Sequence, residues 1–390
     1  MVNPWRGVAG LPREVWALTA TTFVNRVGTM VIPFLALYLT GPLGFSSAFT
    51  GLALATLGAT SIVAAPISGR LADRFGATRV MAVSLVLSAL VLALFPLARG
   101  AAPVIVAIVL FSAVSEAYRP ASLSAVSLAA GPEQRKAAFA LNRLAINLGM
   151  SVGPAVGGFL AAWSFTALFW VDGASSLAAA AVLAWAPACA ASRGATAALR
   201  ASLLGEAWRD RRLIYFLGAS VPVLLVFFQL MAAMPLYLVR DLGFSTAFYG
   251  AVFTINTLMI VVLEVPLNIA MAHWPHRRQL PLGAALVGLG FGAMALTSGP
   301  TGLAGTIVIW TFGEMILLPG MAAYVADIAP ESRSGEYMGL YTMTFGLALV
   351  LAPPIGTVLL ERYGGGVLWP TMLVLGLVSA ALLSRVKTES

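Results

Sequence analysis

The chain has 390 residues, of which 60% are hydrophobic and only 10% charged, and its mean hydropathy is +0.92. A water-soluble fold cannot hide that much apolar surface, because even a large core needs a polar shell around it. The net charge of +8 would suit a nucleic-acid partner, but the distribution of the basic residues excludes that class, and a lone cysteine, Cys189, excludes an intramolecular disulfide.

In chain order the apolar runs predict twelve membrane-spanning helices, an all-α membrane protein. The first six cover 16–40, 48–69, 80–97, 103–127, 137–161 and 165–187. The second six cover 213–238, 247–271, 280–298, 302–326, 337–360 and 367–384. Each run suffices to cross about 30 Å of hydrocarbon. Strand alternation is missing and Ala and Leu dominate, so helices rather than a barrel are expected. The segment before the first run is short and lacks a small-residue cleavage site, so no cleavable signal peptide is expected.

Of the 23 Lys and Arg residues, seventeen fall in segments on one side, among them Arg70, Arg74, Arg79, Arg135, Arg211 and Arg278. The other side holds Arg99, Arg240 and Arg362. This positive-inside bias predicts that both termini are cytoplasmic and reads the basic pI as a topology signal.

The chain repeats itself. Leu-Gly-Phe-Ser-Ser-Ala-Phe-Thr-Gly at 43–51 returns as Leu-Gly-Phe-Ser-Thr-Ala-Phe-Tyr-Gly at 242–250, seven of nine residues identical at an offset of 199. Leu37-Tyr38-Leu39 matches Leu236-Tyr237-Leu238 at the same offset, and Pro132-Glu133-Gln134-Arg135 matches Pro330-Glu331-Ser332-Arg333 at 198. Several matches in register mark a duplicated six-helix unit. The expected organisation is a bundle at 1–187, a polar, Arg-rich cytoplasmic linker at 188–212 and a second bundle at 213–390.

Two motifs stand out from the apolar background. Gly69-Arg70-Leu71-Ala72-Asp73-Arg74-Phe75-Gly76-Ala77-Thr78-Arg79 lies between helices 2 and 3 on the basic side. Its glycines permit a tight turn, its arginines suit inner headgroups, and Asp73 can face the positive N-terminus of another helix. This loop resembles the signature of the major facilitator superfamily almost residue for residue. The resemblance implies two pseudo-symmetric six-helix bundles, a site at mid-membrane between them, and a gating latch built on Gly69, Asp73, Arg74, Gly76 and Arg79. The matching loop of the second half, Asn268 to Arg278, has Ala272 in place of the Asp, so latching should be one-sided. His273 and His276 fall in that loop and read as headgroup-facing residues.

The second motif is Gly149-Met150-Ser151-Val152-Gly153-Pro154-Ala155-Val156-Gly157-Gly158 on helix 5. Gly149, Gly153 and Gly157 recur every four residues, so they line one face and admit a closely packed helix, and Pro154 can bend the chain. This is similar to the Gly-Pro signature of the drug:proton antiporter branch, and the resemblance implies export. A degraded copy, Ala352-Pro353-Pro354-Ile355-Gly356, stands in the second half. A second resemblance points elsewhere: Asn25-Arg26-Val27-Gly28, followed by Tyr38-Leu39 and Leu43-Gly44-Phe45-Ser46, is similar to helix 1 of proton-coupled oligopeptide transporters. Those carry two glutamates in this stretch, where this chain has Thr22 and Asn25; only Arg26 fits.

A charge at mid-bilayer costs at least about 2.5–3.5 kcal/mol on insertion scales, so each one calls for a role. Helix 1 sets Thr22, Arg26 and Thr29 on one face with Asn25 beside them; helix 4 does the same with Ser112, Glu116 and Arg119. Glu314 on helix 10 is the repeat partner of Glu116 at offset 198, and Gln229 lies on helix 7. In the resembled architecture helices 1, 4, 7 and 10 line the cavity. Glu314, Glu116 and Arg119 are therefore the expected proton-coupling residues. Arg26, Asn25, Gln229, Asn256, Trp310 and Glu314 are the expected substrate-binding set. Asp172 is expected as a helix-start residue of helix 6 near the outer face, Glu264 as the partner of an arginine at the inner end of helix 8, and Asp327 as a gate or loop contact.

The expected function is proton-coupled efflux of a small amphipathic or drug-like compound from a bacterial inner membrane by a monomer, without metal or cofactor and without nucleic acid. The alternatives are a proton-coupled symporter for peptides, sugars or other metabolites, and a lysolipid or glycolipid flippase. Two loop histidines and one cysteine supply neither a metal set nor a nucleophile–base pair, which argues against an enzyme. No Gly-x-x-x-x-Gly-Lys-Ser/Thr segment occurs, which argues against a self-contained ATP-driven pump.

Overall fold

The computed structural model of the chain describes residues 10–185, 206–271, 273–330 and 334–386, the side chains at 65, 66, 73, 131–133, 135, 136, 140, 206 and 334–336 excepted. Cys189, Ala272, Arg333, residues 188–205 of the expected linker and the Asp73 side chain lie outside the described residues. Twelve helices are long and apolar enough to cross a membrane, as expected, and no strand occurs among the described residues.

They are α1 (Arg13–Thr40), α2 (Ser47–Phe75), α3 (Ala77–Leu97), α4 (Ala101–Ala130), α5 (Ala137–Trp163) and α6 (Phe165–Trp185). The second set is α7 (Arg211–Met231), α8 (Thr246–Ala270), α9 (His276–Leu296), α10 (Pro300–Ile328), α11 (Ser334–Tyr363) and α12 (Gly365–Leu383). The side chains turned outward are apolar: Leu52, Val63, Val262 and Ile269 are exposed, the inverse of a soluble protein. Trp163 and Trp185, 81% and 90% exposed, stand at the ends of α5 and α6, where indole rings suit the headgroup level.

Three departures from the expected spans have local causes. The first span is not continuous: α1 is helical over Arg13–Val27 and again over Val31–Thr40, with Gly28–Met30 between. A continuous helix would need an N–H at residue 33 to reach the Thr29 carbonyl, and Pro33 has none. In the second half, α7 likewise leaves regular geometry after Phe227, passing through tight turns at Phe228–Met231 and a wide π-turn at Leu236–Asp241. Between α4 and α5 the helical backbone continues through the expected loop, over 63 residues from Ala101 to Trp163.

The chain forms two compact units. The first comprises Met1–Tyr38, Thr60–Ala198 and Ser245–Thr257; the second comprises Leu39–Ala59, Leu199–Phe244 and Leu258–Ser390. The start of α8 thus belongs with the first unit and the start of α2 with the second. Both placements follow from the repeated nonapeptide, whose final glycines, Gly51 and Gly250, sit on proline-containing helices. A Cβ on Gly250 would overlap the Pro154 carbonyl of α5, and one on Gly51 would lie 2.8 Å from the Pro354 Cα of α11. In the first unit the Thr246 hydroxyl also donates to the Gly158 carbonyl (2.8 Å), and Thr254 donates to Ser151 (3.1 Å). In the second unit α9 and α12 cross glycine to glycine, Gly288 against Gly376.

Candidate functional site

In the first unit the predicted polar faces of α1 and α4 meet. The Thr22 hydroxyl lies 3.1 Å from the Tyr118 hydroxyl and 3.4 Å from Ser122, all buried. One turn along α1, Arg26 interacts electrostatically with Tyr118, Arg119 and Glu116. Glu116 is half-buried, with Arg119 and Arg26 as its charged neighbours and the Ser61 hydroxyl beside it; Ser61 in turn pairs with Ser112 at 3.1 Å. Arg119 is exposed, and the Arg26 Nε is buried with no hydrogen-bond partner among the described residues. Two guanidiniums lie within electrostatic reach of one carboxylate here, so the cluster carries a net positive charge when Glu116 is ionised and is neutral in none of its simple protonation states.

Helix 5 holds this cluster from behind. The Gly149, Gly153 and Gly157 stripe packs on α1 at Arg26–Met30: a Cβ on Gly153 would lie 2.8 Å from the Val27 carbonyl oxygen, and one on Gly157 would lie 3.1 Å from the Met30 Cβ. The stripe's partner helix, left open by the sequence, is the broken α1. Pro154 and Gly158 turn to α8 instead.

In the second unit the expected residues scatter. Glu314 is half-buried on α10. Gln229 is fully buried; its amide donates to the Leu225 and Ala352 carbonyls at 3.1 and 2.9 Å, and it presses on Gly356. It ties α7 to α11 in this state and is closed to a solute. Trp310 is fully buried too, its backbone against Gly290 and its ring 5.4 Å from Phe291, so it faces neither a cavity nor lipid. Asn256 is buried on the part of α8 that joins the first unit, and Asn25 lends its carbonyl to the Thr29 hydroxyl (3.3 Å) at the α1 break.

Asp172 is a correction. It lies inside α6, not at its start, and is buried. Its Oδ2 accepts hydrogen bonds from the backbone N–H groups of Met30 and Val31 at 3.1 and 3.0 Å. The His276 reading changes as well: its Nε2 lies 2.7 Å from the Asp327 carboxylate, and its ring packs edge-on against Tyr324. Asp327, near the end of α10, thus has the first residue of α9 as its partner.

Sequence reasoning missed Tyr118, Ser122 and Ser61, which carry no charge to betray them. It also missed Asp210 and Tyr337. The Asp210 carboxylate caps α7 by accepting from the Arg212 N–H (2.8 Å) and from the Tyr337 hydroxyl of α11 (2.7 Å). Partial burial pushes this carboxyl up, but the Tyr337 bond, the Arg212 and Leu213 N–H groups and the Arg212 charge outweigh it, holding it below its ordinary value. The Asp-Arg-Arg run at the foot of α7 was the available signal for an N-cap.

The family model of the Major Facilitator Superfamily matches residues 18–313 and 216–389. The chain is 28% identical over 358 residues to an MFS-type transporter of Bacillus subtilis (strain 168), YqjV, covering 90% of this chain and 87% of the relative. It is 25% identical to a Na(+), Li(+), K(+)/H(+) antiporter of Planococcus maritimus (94% and 92% covered) and 26% identical to the multidrug resistance protein MdtH of Aeromonas hydrophila (94% and 93%). Among solved structures, a nucleoside transporter, NupG, superposes with a TM-score of 0.82 at 14% identity, covering 95% of this chain and 98% of that one.

Proposed function

The chain belongs to the Major Facilitator Superfamily, and from that premise we propose that it is a proton-coupled antiporter exporting a small amphipathic or drug-like compound by alternating access. The observation that carries the reading is the Arg26–Glu116–Arg119 cluster on two helices of the first unit. Ionisable groups inside a membrane are expensive and belong to solute or proton pathways. A carboxyl whose ionised form is held by arginines can trade that partner for a proton when the helices move, which couples proton transfer to conformation. The names of two relatives, a cation/proton antiporter and a multidrug resistance protein, support the direction of flux.

Within this reading Glu314 carries the proton and Glu116 is the partner of Arg119 and Arg26. The Gly69–Arg79 loop latches one access state through Asp73. The protein works as a monomer in a bacterial inner membrane with both termini cytoplasmic. Symport of peptides or other metabolites is the second reading, favoured by Arg26 in the α1 stretch that is similar to oligopeptide transporters.

A pH-dye assay in proteoliposomes tests both. Lipophilic cations, alkali cations, dipeptides and sugars are added in turn to vesicles with an acid lumen. Antiport predicts lumenal alkalinisation with a drug-like or cationic compound; acidification on adding a solute would make the protein a symporter.

A further inference from the structure

Among the described residues the one acidic side chain that is buried is Asp172, and the transport reading leaves it without work. Its place is unusual: a buried carboxylate, deep in the span of α6, bonded to the backbone of a helix 141 and 142 residues earlier in the chain. The Val31 N–H opens the second segment of α1, and the Met30 N–H just before it, where Thr29 and Met30 leave helical geometry, is shared with the Gly28 carbonyl at 2.6 Å. A donor at a helix start has no partner within its own helix, and in a membrane interior no water replaces one. A carboxylate there satisfies both donors with one oxygen and sits at the positive end of the segment's dipole.

The break itself is wedged between two helices. On the α6 side, Gly28 meets Ser175 so closely that a Cβ would overlap its side chain, and the Ser175 hydroxyl is tied back to the Asp172 carbonyl at 2.7 Å. On the α5 side, Gly149 and Gly153 touch the backbone of Arg26 and Val27. Arg26 is the second residue before the Gly28 C-cap of the first segment. The placement of its guanidinium relative to the second segment of α1 therefore depends on the angle at the break, and the Asp172 carboxylate bonds both N–H groups on the far side of that break. The second half has Thr371, a half-buried residue whose hydroxyl donates to the Val367 carbonyl of its own helix, at the repeat position of Asp172. The device belongs to the first half alone, the half that holds the arginine cluster.

We propose that Asp172 is a positioning residue of the transport cycle: by clamping the α1 break to α6 it sets Arg26 against Glu116. This rests on the reading of Arg26 as part of the transport site, and the experiment separates the two. Hydrogen–deuterium exchange of the peptide spanning the break is compared in nanodiscs for wild type, Asp172→Asn and Asp172→Ala. Loss of the carboxylate should speed exchange at Met30 and Val31 by about tenfold or more in Asp172→Ala, less in Asp172→Asn, which keeps an acceptor, and leave α9 and α12 unchanged. Unchanged exchange at the break in both variants overturns the clamp without touching the transport reading.

The second arm is ethidium-driven proton flux in proteoliposomes, as a cycle of Asp172→Asn, Arg26→Lys and the double variant. If Asp172 acts through Arg26, the double variant is no worse than Arg26→Lys alone. Losses that multiply would show that Asp172 acts elsewhere, and overturn the positioning role even with the clamp intact. If wild type moves no protons with ethidium, the exchange arm run on Arg26→Lys decides instead: the positioning role predicts slow exchange there as in wild type, and fast exchange would mean that Arg26, not Asp172, holds the break.

Discussion

Gly149 of α5 and Arg26 of α1 are in backbone contact: a Cβ on Gly149 would overlap the Arg26 Cβ and stand 3.0 Å from its carbonyl carbon. The main-chain atoms of Arg26 cannot give way as a flexible side-chain tip would, so added bulk must push α1 off α5. Gly149→Val should cost about 1–3 kcal/mol of stability and most of the transport activity, with Gly149→Ala milder. Gly218 of α7 has open space at the same position and serves as the control. Thermal melts in detergent and flux in proteoliposomes measure both; a Gly149→Val protein that melts and transports like Gly218→Val would refute the tight crossing.

Arg26→Ala should abolish transport while expression and melting temperature stay near wild type. The guanidinium is imperfectly satisfied, its Nε being buried without a partner among the described residues, so its removal relieves a desolvation cost as well as losing contacts. A large drop in melting temperature with flux retained in the surviving protein would assign Arg26 a structural role.

Glutamine at the proton-carrying position mimics the protonated carboxyl. Glu314→Gln should eliminate flux driven by a pH gradient and spare exchange of labelled compound between equal pools. Glu116→Gln should impair both, because Arg119 and Arg26 lose the neighbouring negative charge. If both variants kept full gradient-driven flux, the proton would travel by another route.

At the foot of α7, Tyr337→Phe should lower stability by about 1 kcal/mol, a hydrogen bond to a charged group discounted for a partly exposed site. The Asp210 carboxyl is held below its ordinary value, so its contribution is present in full above about pH 4, the unfolded-chain value, and is lost as pH falls through the lower folded value. The gap in melting temperature between wild type and Tyr337→Phe should therefore be constant from neutral pH to about 5 and shrink only in stronger acid. A gap that closed near pH 6 or 7 would point to a histidine instead.

Hydropathy and helical periodicity are properties of short windows summed along the chain, and they sufficed for the twelve spans and the polar faces of α1 and α4. An arginine and a glutamate in apolar helices are conspicuous because the bilayer penalises them wherever they pack. The glycine stripe of α5 announced a close neighbour, yet only tertiary structure decided that the neighbour is the broken α1. Gln229 and Trp310 sit on helices expected to line a cavity, but which way each points depends on a rotation of the helix that periodicity leaves free, and both turn inward to packing. Asp172 looked like a helix start because its sequence neighbours are apolar and its partners are backbone N–H groups 141 and 142 residues away. A backbone donor is the same in every residue type, so nothing in the sequence marks which carboxylate will meet it; only the packing of α6 against the break in α1 does.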